Sequence, residues 1–180
     1  MLVEGQMISL LVTGPIGSGK SEACRYFAER GVPVYDCDSR TKMLYSLIPG
    51  LKCDIEEALG ISWDRIGIIF SDDAKREKLE SMVYPYVAED IKAWKASQNA
   101  PLLVIESAVM LQKSIFNSLY DKVLVVNADY ELRCRRNPKV AERDSLQDFA
   151  AVKADWSVEN DGDMESLRNE LDIVLKDILK

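Results

Sequence analysis

Residues 14–21 read Gly-Pro-Ile-Gly-Ser-Gly-Lys-Ser, a complete G-x-x-x-x-G-K-[ST] run. Glycines at these positions let the backbone curl so that successive N–H groups point at one cluster of phosphate oxygens, and a helix starting there adds the positive end of its dipole. A lysine at position 20 reaches β- and γ-phosphates, and a hydroxyl at position 21 sits on Mg²⁺. The apolar run Met7–Val12 leads in and a helical pattern leads out, so strand, loop and helix fall in the required order. A glycine-rich turn accounts for the glycines but not for Lys20-Ser21. The run therefore implies binding of a nucleoside triphosphate with Mg²⁺, and Gly14, Ile16, Gly17, Ser18, Gly19, Lys20, Ser21 and Glu22 are the candidate nucleotide contacts.

Three further groups of residues can carry chemistry. The second strand ends in Asp36-Cys37-Asp38, and ligands of parallel α/β sheets sit beyond the carboxyl ends of the strands. One of these acids can take a proton from an acceptor hydroxyl, and the other can order magnesium-bound water or an arginine. Asp38 equally suits a helix cap. Glu106 ends the third strand, where an acid can help hold magnesium or pair with a neighbouring base. Ser21, Asp36 and Glu106 are thus the candidate metal group. Arg133, Arg135, Arg136 and Arg143 form a basic cluster, and guanidinium groups suit the charge spread over a transferring phosphoryl group. Lys20, Arg136 and Arg143 are the candidate electrostatic catalysts; a solvated face paired with Glu131, Glu142 and Asp144 is the alternative. Asn160-Asp161-Gly162 reads as a turn that can border a nucleotide base. Tyr35, Tyr84, Tyr86, Trp63 and Trp94 either line an organic cavity or pack helices together.

The elements that must position these residues alternate between strand and helix, the pattern of a parallel α/β sheet. Strands are expected at about 7–13, 32–35, 102–105, 122–126 and 156–158. Helices are expected at about 19–30, 38–47, 52–59, 72–82, 86–98, 129–136 and 164–180. Gly31 stands where a helix C-terminus calls for glycine. The largely helical block at 38–100 is too long for a plain crossover and reads as an insertion. Residues 137–153, polar and charged, read as a mobile segment.

At 180 residues, 47% apolar and 29% charged, the chain is ordinary globular material of one-domain size. A net charge of −7 argues against a general nucleic-acid binder. There is no histidine, and Cys24, Cys37, Cys53 and Cys134 form no C-x-x-C pair. This excludes the usual zinc sites and histidine-based triads. Scattered cysteines suit a reducing cytoplasm. No uncharged apolar stretch is long enough for a bilayer, and Glu4 does not fit the basic start of a signal peptide. Asn-Lys-x-Asp, H-R-D and D-F-G are absent, which favours a small-molecule kinase over a GTPase or protein kinase.

With these residues set out, most of the chain resembles the dephospho-coenzyme A kinase family. Thr13–Ser21 resembles its T-G-G-I-G-S-G-K-S, and Gly31–Asp38 its G-I-P-V-I-D-A-D. Arg76–Pro85 resembles R-x-x-L-E-x-I-x-H-P, and Ala154–Asn160 resembles A-D-x-V-I-x-N. The resemblance implies a three-layer P-loop kinase fold with a five-stranded parallel sheet. It implies a core at about 1–37 and 101–180, a helical substrate-binding insertion at about 38–100 and a short lid at about 137–153. It implies ATP-dependent phosphorylation of the ribose 3′-hydroxyl of dephospho-coenzyme A. Asp38 would be the base, Asp36 its supporting acid, and Tyr84 a substrate contact standing where the family has histidine. Glu22 replaces a threonine, and the segment from Arg136 to Asp155 is shorter than the family lid. The expected partners are a small-molecule acceptor, no nucleic acid and no membrane, for a monomer or weak homo-oligomer. A kinase for another nucleoside, or a non-catalytic ATP-binding relative, are the alternatives.

Overall fold

The computed structural model describes residues 7–143, 149 and 152–180, without the side chains of Phe70, Glu142 and Arg143. The chain divides into two compact units, one formed by Met1–Asp36 with Ser97–Lys180 and one by Cys37–Ala96.

The first unit is built on a parallel sheet in the order β2-β3-β1-β4-β5. Its strands are β1 (Ile8–Thr13), β2 (Val34–Asp36), β3 (Leu102–Glu106), β4 (Lys122–Asn127) and β5 (Trp156–Glu159). The three inner strands read as nearly continuous apolar runs because both of their faces are covered. Leu10, Leu11 and Val12 of β1, Leu103 to Ile105 of β3 and Leu124 of β4 are essentially inaccessible. The edges are short. β2 follows Pro33, which has no N–H for a ladder, yet its carbonyl accepts from Val104 N at 2.9 Å.

Two helices pack on one face of this sheet. α1 (Lys20–Glu29) contributes Ala23, Cys24, Tyr26 and Phe27 to the core. It ends at Gly31, whose N–H donates to Ala28 O while Val32 N donates back to Phe27 O, the paired closure of a glycine-terminated helix. The C-terminal helix (Met164–Ile178) is capped by Asp163, whose carboxylate accepts from Ser166 N at 2.8 Å. Its apolar stripe of Leu167, Leu171, Val174 and Ile178 recurs at helical spacing and is buried. The Tyr26 hydroxyl donates to Asp172, and the Arg30 guanidinium lies over the Tyr26 ring, tying the two helices together at their rim.

The second unit consists of α2 (Cys37–Leu47), α3 (Leu51–Leu59), a 3-10 stretch (Trp63–Ser71) and α4 (Asp73–Ala96), packed on one another. Arg40 joins α2 to α4 by a two-pronged pair with Asp90, at 2.9 and 2.6 Å. The expected break between helices at 72–82 and 86–98 does not occur: α4 runs through Pro85 without interruption. Pro85 is exposed, whereas Val83, Val87, Ala88 and Ile91 form one buried stripe across it. Burial of that stripe outweighs the roughly 3 kcal/mol that an interior proline costs. Two remaining helices, α5 (Tyr130–Arg136) and α6 (Val140–Arg143), follow β4. Within the segment expected to be mobile at 137–153, α6 occupies Val140–Arg143, and 144–148, 150 and 151 lie outside the described residues. Among the described residues, no helix is long and apolar enough to cross a membrane.

Leu171, fully buried between sheet and helix, gives a direct check of this core. Leu171→Ala should lower unfolding stability by about 2–5 kcal/mol, read as a fall in the urea midpoint with little change in slope.

Candidate active site

The strand order reverses between β1 and β3, because the chain passes from β3 across β1 to reach β4. In open α/β sheets that reversal opens a crevice at the carboxyl ends, where ligands bind. The Gly14–Gly19 loop follows β1 at this point, and Glu106 ends β3 beside it. Glu106 is in register with Val12 on one side and Asp36 on the other.

The loop is wedged against three neighbours. Gly14 has φ +145°, and a Cβ there would meet the Val126 carbonyl of β4 at 2.0 Å. Gly19 has φ +101°, and a Cβ there would meet the Asn160 amide at 2.1 Å. Gly17 backs onto the main chain of Arg133 in α5. Asn160 is buried, and its Nδ2 donates to Ser18 O at 2.8 Å, so the turn after β5 straps the loop down. The Arg136 guanidinium donates to the Asn160 carbonyl at 2.8 Å and reinforces the strap. Arg133, also buried, donates to Ala128 O at 3.1 Å and to Ile16 O of the loop at 3.4 Å. The Lys20 ammonium folds over its own loop, donating to Gly14 O at 2.9 Å and Pro15 O at 3.0 Å.

Beneath the loop lies a small group of hard oxygen donors. The Ser21 hydroxyl donates to Glu106 Oε1 at 2.9 Å. Burial, and the negative Asp36 nearby, push the Glu106 carboxyl above its ordinary range against the pull of the Ser21 hydrogen bond. A hydroxyl and two carboxylates that repel one another fit a divalent cation such as Mg²⁺, which takes one or two protein oxygens and completes its shell with water and phosphate. No group of three or more acidic, cysteine or histidine side chains placed to hold a metal occurs among the described residues.

The other expected site residues fall as follows. Glu22 pairs with Arg25 at 2.9 Å on the surface of α1. In the second unit, Asp38 is exposed in the first turn of α2, which begins one residue before it, so it is not the cap residue. Tyr84 is half-buried on α4 and hydrogen-bonded to Glu80; burial and the Glu80 charge drive its phenol pKa up. The Arg143 side chain lies outside the described residues. Of the aromatic candidates, Trp63 borders a cavity of about 360 Å³ within the second unit, whereas Tyr35 is buried and Tyr86 exposed. Sequence reading missed its other walls, among them Lys42, Tyr45, Lys52 and Leu79. Tyr45 packs edge-on to Trp63 at 4.7 Å, and Lys52 lies 5.2 Å from the Trp63 ring centre. Lysines in amphipathic helices look solvated in sequence, and only the fold shows them beside a ring.

A phosphate loop at the switch point of a five-stranded parallel sheet, with a strand-tip carboxylate beneath it, defines a nucleotide-binding protein of the P-loop kinase class. The dephospho-CoA kinase family model matches residues 65–165. The dephospho-CoA kinase of Porphyromonas gingivalis is 34% identical over 139 residues, covering 72% of this chain and 68% of that one. The chain belongs to the dephospho-CoA kinase family. A crystal structure of a Thermus thermophilus protein superposes with TM-score 0.80 at 27% identity, covering 96% of this chain and 98% of that one. Dephospho-CoA kinase from Campylobacter jejuni shares the fold, with TM-score 0.59 at 17% identity and coverage of 94% and 96%.

Two expectations follow from the geometry. Asn160→Ala strands the Ser18 carbonyl, costs about 1–3 kcal/mol and loosens the loop. ATP affinity by calorimetric titration should fall about tenfold, and undiminished affinity would show that the loop keeps its shape without the strap. Glu106 protonates more readily folded than unfolded, so its ionisation removes stability as pH rises through the carboxylate range. Glu106→Gln escapes that loss. Its stability should match the wild type in acid and exceed it increasingly towards neutral pH, as chemical denaturation across a pH series would show.

Proposed function

We propose that this protein transfers the γ-phosphoryl group of ATP to the ribose 3′-hydroxyl of dephospho-coenzyme A, giving ADP and coenzyme A. The observation that carries this reading is the Ser21–Glu106 pair held beneath a braced phosphate loop, in a chain of the dephospho-CoA kinase family.

In this reading the loop amides from Gly14 to Ser21 cradle the triphosphate, with Ile16 and Glu22 at the edges of the cradle and Asn160 holding its floor. Lys20 exchanges its two loop carbonyls for phosphate oxygens and follows the charge that develops on transfer. Ser21, Glu106 and Asp36 would hold Mg²⁺, directly or through water; bound there, the ion neutralises charge on the phosphates. Ser21 can donate its proton to Glu106 and still offer a lone pair outward.

Asp38 is the proposed general base. Only Cys37 separates it from Asp36, so covalent geometry keeps the two Cα atoms within about 7 Å. Asp38 takes the proton of the acceptor hydroxyl as the new O–P bond forms and the bond from the γ-phosphorus to the bridging oxygen breaks. Asp36 supports it. Arg136, just before the proposed lid segment 137–153, and Arg143, within it, stabilise the equatorial oxygens. The helical unit, with Tyr84, takes the acceptor. Tyr84 remains a neutral phenol and offers a hydrogen bond rather than a base. Positioning and electrostatics supply most of the acceleration.

Purified protein with Mg-ATP and dephospho-coenzyme A should release ADP and yield a product heavier by one phosphoryl group, identified by mass. Asp38→Asn should lower kcat by about 10²–10⁴ with ATP affinity nearly intact. Unchanged turnover in that variant would remove Asp38 from the mechanism.

A further inference from the structure

Within the helical unit, the cavity of about 360 Å³ has mainly apolar walls, Tyr45, Trp63 and Leu79 among them. Trp63 is fixed in place there. Its backbone N–H donates to Glu56 Oε1 at 2.6 Å, and Tyr45 meets its ring edge-on at 4.7 Å. Two ammonium groups stand among these walls, Lys52 of α3 and the exposed Lys42 of α2. Lys52 lies 5.2 Å from the Trp63 ring centre and donates to the Ser46 hydroxyl at 3.5 Å. Acids outnumber bases 30 to 23 in this chain, yet among the described residues neither lysine is ion-paired with a carboxylate. Apolar walls with two such cations suit a molecule that is apolar at one end and anionic at the other.

The order of groups along α2 narrows the choice. Asp38, Lys42 and Tyr45 stand at i, i+4 and i+7, on one face of the helix. A rise of about 1.5 Å per residue sets Lys42 about 6 Å and Tyr45 about 10 Å along the axis from Asp38. Asp38 and Lys42 are spaced for a helical ion pair but make none among the described residues, which leaves both for a ligand. Dephospho-coenzyme A carries its groups in the same order: a ribose hydroxyl, a diphosphate on the same sugar, then the pantetheine arm. With the hydroxyl at Asp38, the diphosphate falls at Lys42 and the arm runs into the cavity.

We propose that Lys42 and the cavity between Tyr45 and Trp63 set the specificity for the acceptor, the ammonium taking its diphosphate and the cavity its pantetheine arm. The inference rests on the reading of Asp38 as the base beside the acceptor hydroxyl.

The test is the steady-state kinetics of the full-length protein with Mg-ATP and dephospho-coenzyme A. The inhibitor is 4′-phosphopantetheine, which keeps the arm and one phosphate but has no nucleoside. In the wild type it should compete with dephospho-coenzyme A and not with ATP. Lys42→Gln, a change at an exposed position, should raise the KM for dephospho-coenzyme A and the inhibition constant about tenfold. Its kcat and KM for ATP should not change, the pattern of binding lost equally from ground and transition states. Lys42→Arg keeps the charge and should stay within about threefold of the wild type. Trp63→Ala should raise the same two constants about tenfold; if it is unstable in thermal denaturation, the Lys42 variants decide alone. Three results overturn the assignment while the function stands: no competition by phosphopantetheine, both constants unchanged in Lys42→Gln, or a KM for ATP that rises in step. A wild type that binds Mg-ATP but neither binds dephospho-coenzyme A in calorimetry nor phosphorylates it overturns the proposed function, and this assignment with it.

Discussion

Everything at the nucleotide end of this protein depends on how closely its phosphate loop is pressed into the elements around it. Gly14 meets a β4 carbonyl and Gly19 meets the Asn160 amide at separations that leave no room for a Cβ. The loop cannot adopt a second shape without losing these contacts. Folding therefore bears the entropy of ordering it, roughly 1–2 kcal/mol per residue, before any ligand arrives. The pieces that hold it come from distant parts of the chain: β4, α5 and the turn after β5 all converge on residues 14–19. This explains why the late segment from Lys122 to Gly162 belongs to the same compact unit as the N-terminal strand.

The braced loop sits above an arrangement that is electrostatically uncomfortable. Glu106 and Asp36 are neighbours in register, and burial raises the cost of charging Glu106 further. The Ser21 hydroxyl, which donates to Glu106, and the nearby Lys20 charge offset only part of this. An apolar pair at the two strand tips would make a more stable sheet. Keeping two acids there is a cost in the free protein that, on the proposed function, a divalent cation brought in with a polyphosphate would offset. The same logic places Glu106 beside the switch point, where the sheet leaves space for a ligand.

Much of this was legible in the sequence, and the reasons are physical. The phosphate loop is local: spacing within eight residues dictates its shape, so a string of letters suffices. Inner parallel strands announce themselves because both faces are buried and alternation disappears, as in Leu102–Ile105 and Val123–Val126. What stayed hidden is what a distant partner decides. Pro85 looked like a helix break because local propensity says so, but the stripe running from Val83 to Ile91 keeps α4 whole. The strap was hidden for the same reason: the Asn160 amide reaches back to Ser18 O, and Arg136 holds the Asn160 carbonyl, contacts that no local spacing shows. Lys42, Tyr45 and Lys52 were invisible as a group, because nothing in their spacing shows that Trp63 folds back beside them.

That Arg136 and Lys20 already have partners bears on how the site can work. Lys20 donates to two carbonyls of its own loop, and Arg136 donates to one carbonyl of the strap. On the proposed function, a triphosphate that recruits Lys20 would not find a bare cation; it would exchange neutral acceptors for charged ones. The number of hydrogen bonds changes little, while each new bond is charge-assisted and roughly twice as strong as the neutral one it replaces. Selectivity for a polyanion then comes from the difference between acceptors. Water and neutral solutes gain nothing from the exchange. A chain with net charge −7, which repels anions at long range, can in this way hold one tightly at a single place.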